Sequence, residues 1–192
     1  MQTGGSARCL RPKAFERTRV QLVACTHEFH AGETLDILNE AIVNSTALYD
    51  YQPRRPESMA AWFRAKEVDR YPVIGAIAED GRLMGFATYG AFRAWPAYKY
   101  SVEHSVYVHK DHRGKGIGIA LMGQLIDTAR NQQYHMLIGG IDRANRGSIA
   151  FHERLGFSHA GTIRHAGFKF GRWLDLAFYQ LILETPDAPV DG

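Results

Sequence analysis

The stretch that most constrains this chain is His112-Arg113-Gly114-Lys115-Gly116-Ile117-Gly118, which follows the apolar run Val106-Tyr107-Val108 and precedes a helical pattern. Glycines at alternate positions permit positive φ and let a ligand reach the backbone with no Cβ in the way. After them Ile117, Leu121 and Leu125 recur at helical spacing, with Met122 and Ile126 beside them. Strand, glycine turn and helix N-terminus make a site for an anionic phosphate, because unpaired amides and the positive end of the helix dipole point the same way. Arg113 and Lys115 add positive charge. Two familiar phosphate loops are excluded by spacing. A dinucleotide fingerprint read from Gly116 needs a glycine where Leu121 stands, and a Walker A loop needs Ser or Thr where Gly116 follows Lys115.

A second element lies downstream. After the strand-like run His135 to Ile141 comes Asn145, then Ser148, Phe151-His152-Glu153 and Gly156-Phe157. Asn145 is a good N-cap for a helix carrying Ile149, Phe151 and Leu155, and Gly156 can end that helix in the left-handed region.

Arg-x-x-Gly-x-Gly, as Arg113, Gly116 and Gly118, resembles the acetyl-CoA pyrophosphate loop of the GNAT N-acetyltransferase superfamily. Asn-x-x-Ser-x-x-x-His-Glu-x-x-Gly-Phe resembles the second CoA-contacting element of that superfamily. Further segments narrow the likeness: Tyr49-Asp50-Tyr51-Gln52-Pro53, Phe92-Arg93 with Pro96-Ala97-Tyr98, Lys99 to Val108, and Gly167 to Asp175. These are similar to the phosphinothricin and methionine sulfoximine N-acetyltransferases, over residues 19 to 184. Many superfamily members carry Tyr where this chain has His152, and the phosphinothricin branch also has His.

The resemblance implies an acetyl-CoA-dependent transfer to an amine. The CoA contacts would be Val106, Tyr107 and Val108, then Arg113, Gly114, Lys115, Gly116, Ile117, Gly118 and Ile119, with Asn145 and Ser148 opposite. It also implies a backbone N–H within 106–108 as oxyanion donor, on a strand that carries a bulge and diverges from its neighbour, opening a slot towards Leu137 to Gly140.

Such a transfer must strip a proton from an ammonium, polarise a thioester carbonyl and stabilise a departing thiolate. Glu103 is the candidate base, since partial burial at the start of a sheet strand raises a carboxylate's pKa; a surface glutamate on a strand end is the alternative. His152 is a candidate to protonate the thiolate, relay a proton or orient the substrate, or is simply a structural helix histidine. Arg93 and Tyr98, with Lys99 beside them, suit an anionic head group, although a solvated arginine reads the same way. Tyr49 and Tyr51 would line or lid the acceptor pocket, although packing aromatics read the same way.

Composition bounds the rest. At 192 residues one domain is expected, spanning 19–184, with a flexible extension over 1–18 and a frayed tail over 185–192. The extension has basic residues but no apolar core, unlike a secretory signal. A net charge of +3 with scattered basic residues does not mark a nucleic-acid binder, and no apolar run is long enough to span a membrane. Cys9 and Cys25 imply neither a disulfide framework nor a zinc site. His27-Glu28-Phe29-His30 lacks the spacing of a helical zinc motif, so no metal is expected. A cytoplasmic location follows as the expectation.

Periodicity predicts a strand over 19–25, helices over 33–48 and 57–68, a hairpin 73–79/82–89 and a strand over 102–108. A helix over 117–130, a strand over 135–141, a helix over 146–155 and strands over 157–166 and 173–183 follow. The order βααβββαβαββ implies an α/β fold: a central mixed sheet with helices on both faces, matching the GNAT-type acyltransferase architecture. Phe168, Phe170, Trp173, Phe178 and Tyr179 exceed what one face of an edge strand needs, which predicts a homodimer. The leading expectation is acetylation of the α-amino group of a small amino-acid-like molecule. A peptide or protein amine as acceptor, and a CoA-binding module without turnover, are the alternatives.

Overall fold

A computed structural model describes residues 20–191. Its elements are β1 (Gln21–Ala24), α1 (His27–Asn44), α2 (Ser58–Val68), β2 (Val73–Ile77), β3 (Leu83–Ala91), β4 (Ser101–Val108), α3 (Ile117–Asn131), β5 (Met136–Asp142), α4 (Arg146–Arg154), β6 (Ser158–Lys169) and β7 (Arg172–Ile182). The order is the expected one. Helix α1 differs most from expectation, beginning six residues before Glu33 and ending before Leu48. Its start is set by Thr26, whose hydroxyl accepts from the Phe29 amide at 3.4 Å while its own amide donates to His30 Nδ1 at 3.1 Å. At its end Ser45 turns extended and donates both amide and hydroxyl to Ala41 O, and Lys169 takes up further carbonyls at the end of the helix and just beyond.

The seven strands form one sheet in the order β1-β2-β3-β4-β5-β7-β6, and only β4 and β5 run parallel. That parallel pairing is short. Ser101, Val102 and Glu103 face Met136, Leu137 and Ile138, and there it stops. Beyond Glu103, β4 stays with β3 while β5 stays with β7 as far as Asp142, so the sheet forks. The bulge expected in β4 is absent, because its register against β3 is unbroken from Gly85↔Val108 to Ala91↔Val102. Divergence comes from the fork itself, as each half of the sheet keeps its own twist.

A bulge sits instead between β2 and β3, at Ala76/Ile77, where β3 has one extra residue. It changes the alternation, so that Leu83 and Phe86 both face α1 and α2 while Met84, Ala87 and Tyr89 face α3. The core is therefore two layers. Leu121, Met122, Leu125 and Ala129 of α3 are wholly buried on one face, and Ile37, Leu38, Met59 and Phe63 of α1 and α2 fill the other.

The terminal segment after β7 is tied down in part. Thr185 O meets His135 Nδ1 at 2.8 Å, and the Val190 amide donates to Tyr100 Oη at 3.1 Å. Residues 1–18, with Cys9, lie outside the described residues. Among the described residues no helix is long and apolar enough to cross a membrane, and no cluster of three ligating side chains could hold a metal ion.

Candidate active site

Gly114 and Gly116 adopt φ of 76° and 81°, and Gly116 caps the N-terminus of α3 without a side chain. The amides of Ile117 and Gly118, in the first turn, have no intrahelical acceptor. They border a groove of about 760 Å³ between the glycine loop and α4, lined by Arg113, Gly114, Gly116 and Ile119 on one side and by Asn145, Ser148 and Phe151 on the other. A Cβ on Gly116 would meet nothing within 4 Å, so its left-handed φ is what requires glycine there. At Gly118 a Cβ would lie 3.2 Å from the Phe151 ring, so this glycine serves close packing of α3 against α4.

The basic side chains of the loop are engaged elsewhere. Arg113 pairs with Glu40 of α1 and donates through Nε to Val108 O at 3.1 Å. Lys115 folds back onto Asp111 O at 2.8 Å and does not line the groove. Val106 and Val108 line it, whereas Tyr107 lies at the neighbouring cleft and packs on Phe86. What this loop offers a phosphate is mainly backbone.

That neighbouring cleft, of about 290 Å³, opens at the fork between β4 and β5. Val106, Asn145 and Ser148 border both cavities, so groove and cleft meet at these three residues. Asn145 is held there by its own capping bond, accepting from the Ser148 amide at 3.0 Å. Glu103 stands where the parallel pairing ends. Its Oε1 lies 3.3 Å from where a Cβ of Gly140 would be, so Gly140 makes room for the carboxylate. Burial pushes the Glu103 pKa above the usual carboxylate range, and the charge of Arg93 opposes this in part.

His152 projects from α4 into the same cleft and is buried. Its Nδ1 is 2.7 Å from Ser148 O. A carbonyl only accepts, so Nδ1 carries the hydrogen and Nε2 of the neutral ring presents a lone pair. Burial lowers the His152 pKa and so favours that neutral form, and the bond to the Ser148 carbonyl opposes this only in part. His152 is therefore set up first as a proton acceptor and can donate only after it has been protonated.

The sequence reading missed His104. It stacks on His152 with ring centroids 5.1 Å apart, and neither of its nitrogens has a partner. Burial, reinforced by His152, drives its pKa down to about 3. A Cβ on Gly139 would sit 2.8 Å from His104 Nε2 and 3.3 Å from His152 Nε2, so both nitrogens converge on the space that this glycine leaves. The available signal was alternation: Val102 and His104 share an inward face, and a histidine on such a face needs an explanation. Asp142 was missed too. It lines the cleft, and although burial opposes it, bonds from the Ala144 amide, the Thr46 hydroxyl and Arg172 hold its pKa below the usual range.

The other predicted acceptor residues divide. Tyr49 lines the cleft. Tyr51 does not: it is exposed, and its hydroxyl donates to Phe168 O at 2.7 Å. The Arg93 guanidinium lies 4.3 Å from the Phe92 ring and donates to Phe92 O, outside the cleft wall although close enough for its charge to act on Glu103. Tyr98 is exposed, edge-on to Phe92, and also lies outside that wall.

Comparison with known proteins agrees with this geometry. Residues 36–157 match the model of the acetyltransferase (GNAT) family. The chain is 43% identical over 156 residues to an L-methionine sulfoximine/L-methionine sulfone acetyltransferase of Pseudomonas paraeruginosa, covering 81% of this chain and 91% of that one. It is 36% identical to a phosphinothricin N-acetyltransferase of Streptomyces coelicolor, covering 76% of this chain and 86% of the other. A solved GNAT phosphinothricin acetyltransferase from Sinorhizobium meliloti, in complex with acetyl-CoA, superposes with a TM-score of 0.84 at 34% identity, covering 88% of this chain and 92% of that one. Glycine loop, forked sheet and family match coincide on the same residues, and the chain belongs to the GNAT acetyltransferase family and is an acyltransferase.

Proposed function

We propose that this enzyme transfers the acetyl group of acetyl-CoA directly to the α-amino group of a small amino-acid-like acceptor, such as methionine sulfoximine, methionine sulfone or phosphinothricin. The observation that carries this reading is the junction of two cavities at Val106, Asn145 and Ser148, with backbone amides for phosphate in one and Glu103 in the other. The relatives named for these acceptors support the choice of substrate class.

In this reading Glu103 takes a proton from the acceptor ammonium, directly or through a water. Its raised pKa brings it nearer to what a base at neutral pH needs. The freed lone pair attacks the thioester carbonyl, and a backbone N–H on the unpaired edge of β4, within 106–108, faces the oxygen as charge develops. His152 Nε2 accepts the proton released as the N–C bond forms and returns it to the departing sulfur. The loop 46–49 walls the cleft, and its volume of about 290 Å³ favours a small acceptor over a peptide threaded through a groove.

Assembly belongs to the same proposal. Phe168, Phe170 and Trp173 are about half exposed or more, at 45%, 58% and 58%. They support a homodimer, although Tyr179 is in the core and contributes nothing to that surface. Sedimentation as a strict monomer at micromolar concentration would overturn it. A cytoplasmic location accords with a need for acetyl-CoA. The deciding experiment is a kinetic screen of amino acids and their sulfone, sulfoximine and phosphinate analogues, read by thiol release. Saturable turnover with this class is expected. Acetyl-CoA binding without turnover on any of them would refute the reading.

A further inference from the structure

The hairpin joining β6 and β7 closes on the pair Lys169↔Arg172, across Phe170 and Gly171 at φ of 51° and 72°. Two positive φ values in a two-residue connection are those of a tight hairpin turn whose twist matches the strands. What the closing pair touches is unusual. Lys169 is only 5% exposed and its ammonium donates to three carbonyls: Ile42 O at 2.6 Å, Ser45 O at 2.9 Å and Leu48 O at 2.6 Å. Three N–H groups meet three acceptors, with no carboxylate among them. Helix α1 has no basic residue in its last turn, so this lysine, 127 residues further along the chain, supplies the cation that the negative end of the helix favours.

Ser45 and Leu48 bracket Thr46 and Ala47, which with Leu48 and Tyr49 form one wall of the acceptor cleft. The other member of the pair reaches the β5 side of the cleft. Arg172 Nη2 bonds Asp142 Oδ2 at 2.7 Å, and Asp142, the last residue of β5, lines the cleft where it also accepts from the Thr46 hydroxyl of that loop. Two nearby contacts draw the same parts together: Tyr51 Oη donates to Phe168 O at 2.7 Å, and Gly167 lies so close to the Tyr49 ring that a Cβ would be 2.9 Å from it.

We propose that Lys169 and Arg172 form a clip, one arm on the loop after α1 and one on the end of β5, that fixes how these two sides of the acceptor cleft meet and so selects the acceptor. Both are positioning residues, because neither lines the cleft. The proposal rests on the reading that this cleft takes the amine. An ammonium is the group that can do it: a methionine fills the same space without a donor, and the planar guanidinium of an arginine does not direct three donors to converging carbonyls.

The test compares wild type with Lys169→Met and Arg172→Gln in the full chain. Each variant should raise KM for the amine about tenfold, with kcat less affected and acetyl-CoA affinity within about twofold. Discrimination between small and bulky acceptors should flatten. Hydrogen exchange without any ligand should quicken at 45–49 in Lys169→Met while 113–119 is unchanged. Arg172 is half exposed, so Arg172→Gln carries the kinetic arm should Lys169→Met fail to fold. Unchanged KM and selectivity would overturn the clip, as would a loss of acetyl-CoA affinity equal to the loss for the amine. If wild type acetylated no amine, the functional reading would fall, and the exchange pattern would still decide whether the hairpin holds the loop.

Discussion

The groove proposed for the cofactor and the cleft proposed for the acceptor are built in different ways. One wall of the groove is a single contiguous segment, in which a strand, a glycine turn and the first turn of α3 follow one another within 106–119. The groups it offers a ligand are mainly backbone amides, since its arginine and lysine are occupied elsewhere. The cleft draws on a loop after α1, the fork of β4 and β5, and α4, with a hairpin behind it whose key contacts span 30 to 127 residues. A backbone site tolerates side-chain change and is strict about conformation. A site of assembled side chains is sensitive to what each one touches.

The largest expected effect lies in the cleft. Glu103→Gln should lower turnover by about two to four orders of magnitude near neutral pH, the usual contribution of a positioned base. Acetyl-CoA affinity should be retained, and the deficit should narrow at alkaline pH, where the free amine is abundant. Wild-type kcat/KM should rise as pH passes upward through the elevated Glu103 pKa. A variant that also lost cofactor binding would break the division between the two halves.

In the groove, Gly116→Val should weaken acetyl-CoA binding more than tenfold by calorimetry, since a β-branched residue at φ 81° carries strain of about 1–3 kcal/mol or forces the turn to move. Unchanged affinity in a folded variant would refute the loop assignment.

A third expectation concerns the stacked imidazoles. In the fold the His104 pKa is pushed from 6.5 down to about 3, so the unfolded chain binds this proton first. Stability from this group is full above about pH 6.5 and declines as pH falls towards 3, by ~2 kcal/mol between about pH 7 and pH 5. Urea unfolding at the two pH values should show that loss in wild type and a smaller one in His104→Phe. An equal loss in both would mean that the ring titrates without cost to the fold.

The smallest effect is expected from Arg113→Gln, which should change acetyl-CoA affinity less than about threefold and stability by about 0.2–1 kcal/mol, as for other half-exposed pairs. A large loss of affinity would show that the guanidinium leaves Glu40 to meet phosphate, and would make the groove a side-chain site after all.

Most of the fold was legible because its signals are local. The hairpin at Asp80-Gly81, the buried stripe of α3 and the Asn145 cap each lie within a few neighbouring residues. The misjudged start of α1 was legible as well, in Thr26 and His30, but apolar periodicity outweighed a polar cap. The bulge, and the turn of Arg93, Tyr98 and Tyr51 towards Phe92 and Phe168, were not legible for another reason: proximity in sequence says nothing about which way a side chain turns once an aromatic ring or a carbonyl offers it a partner.

By itself, then, the sequence determined the glycine turn, the order of strands and helices and the presence of Glu103 and His152, since steric and hydrogen-bonding preferences act over three to five residues. Only the tertiary structure decided that β4 and β5 part after Glu103, that His104 stacks on His152 and that Lys169 closes α1 from the other end of the chain. Each of these depends on strand pairing and burial between residues far apart. No local pattern encodes them, because the partners exist only once the sheet has formed.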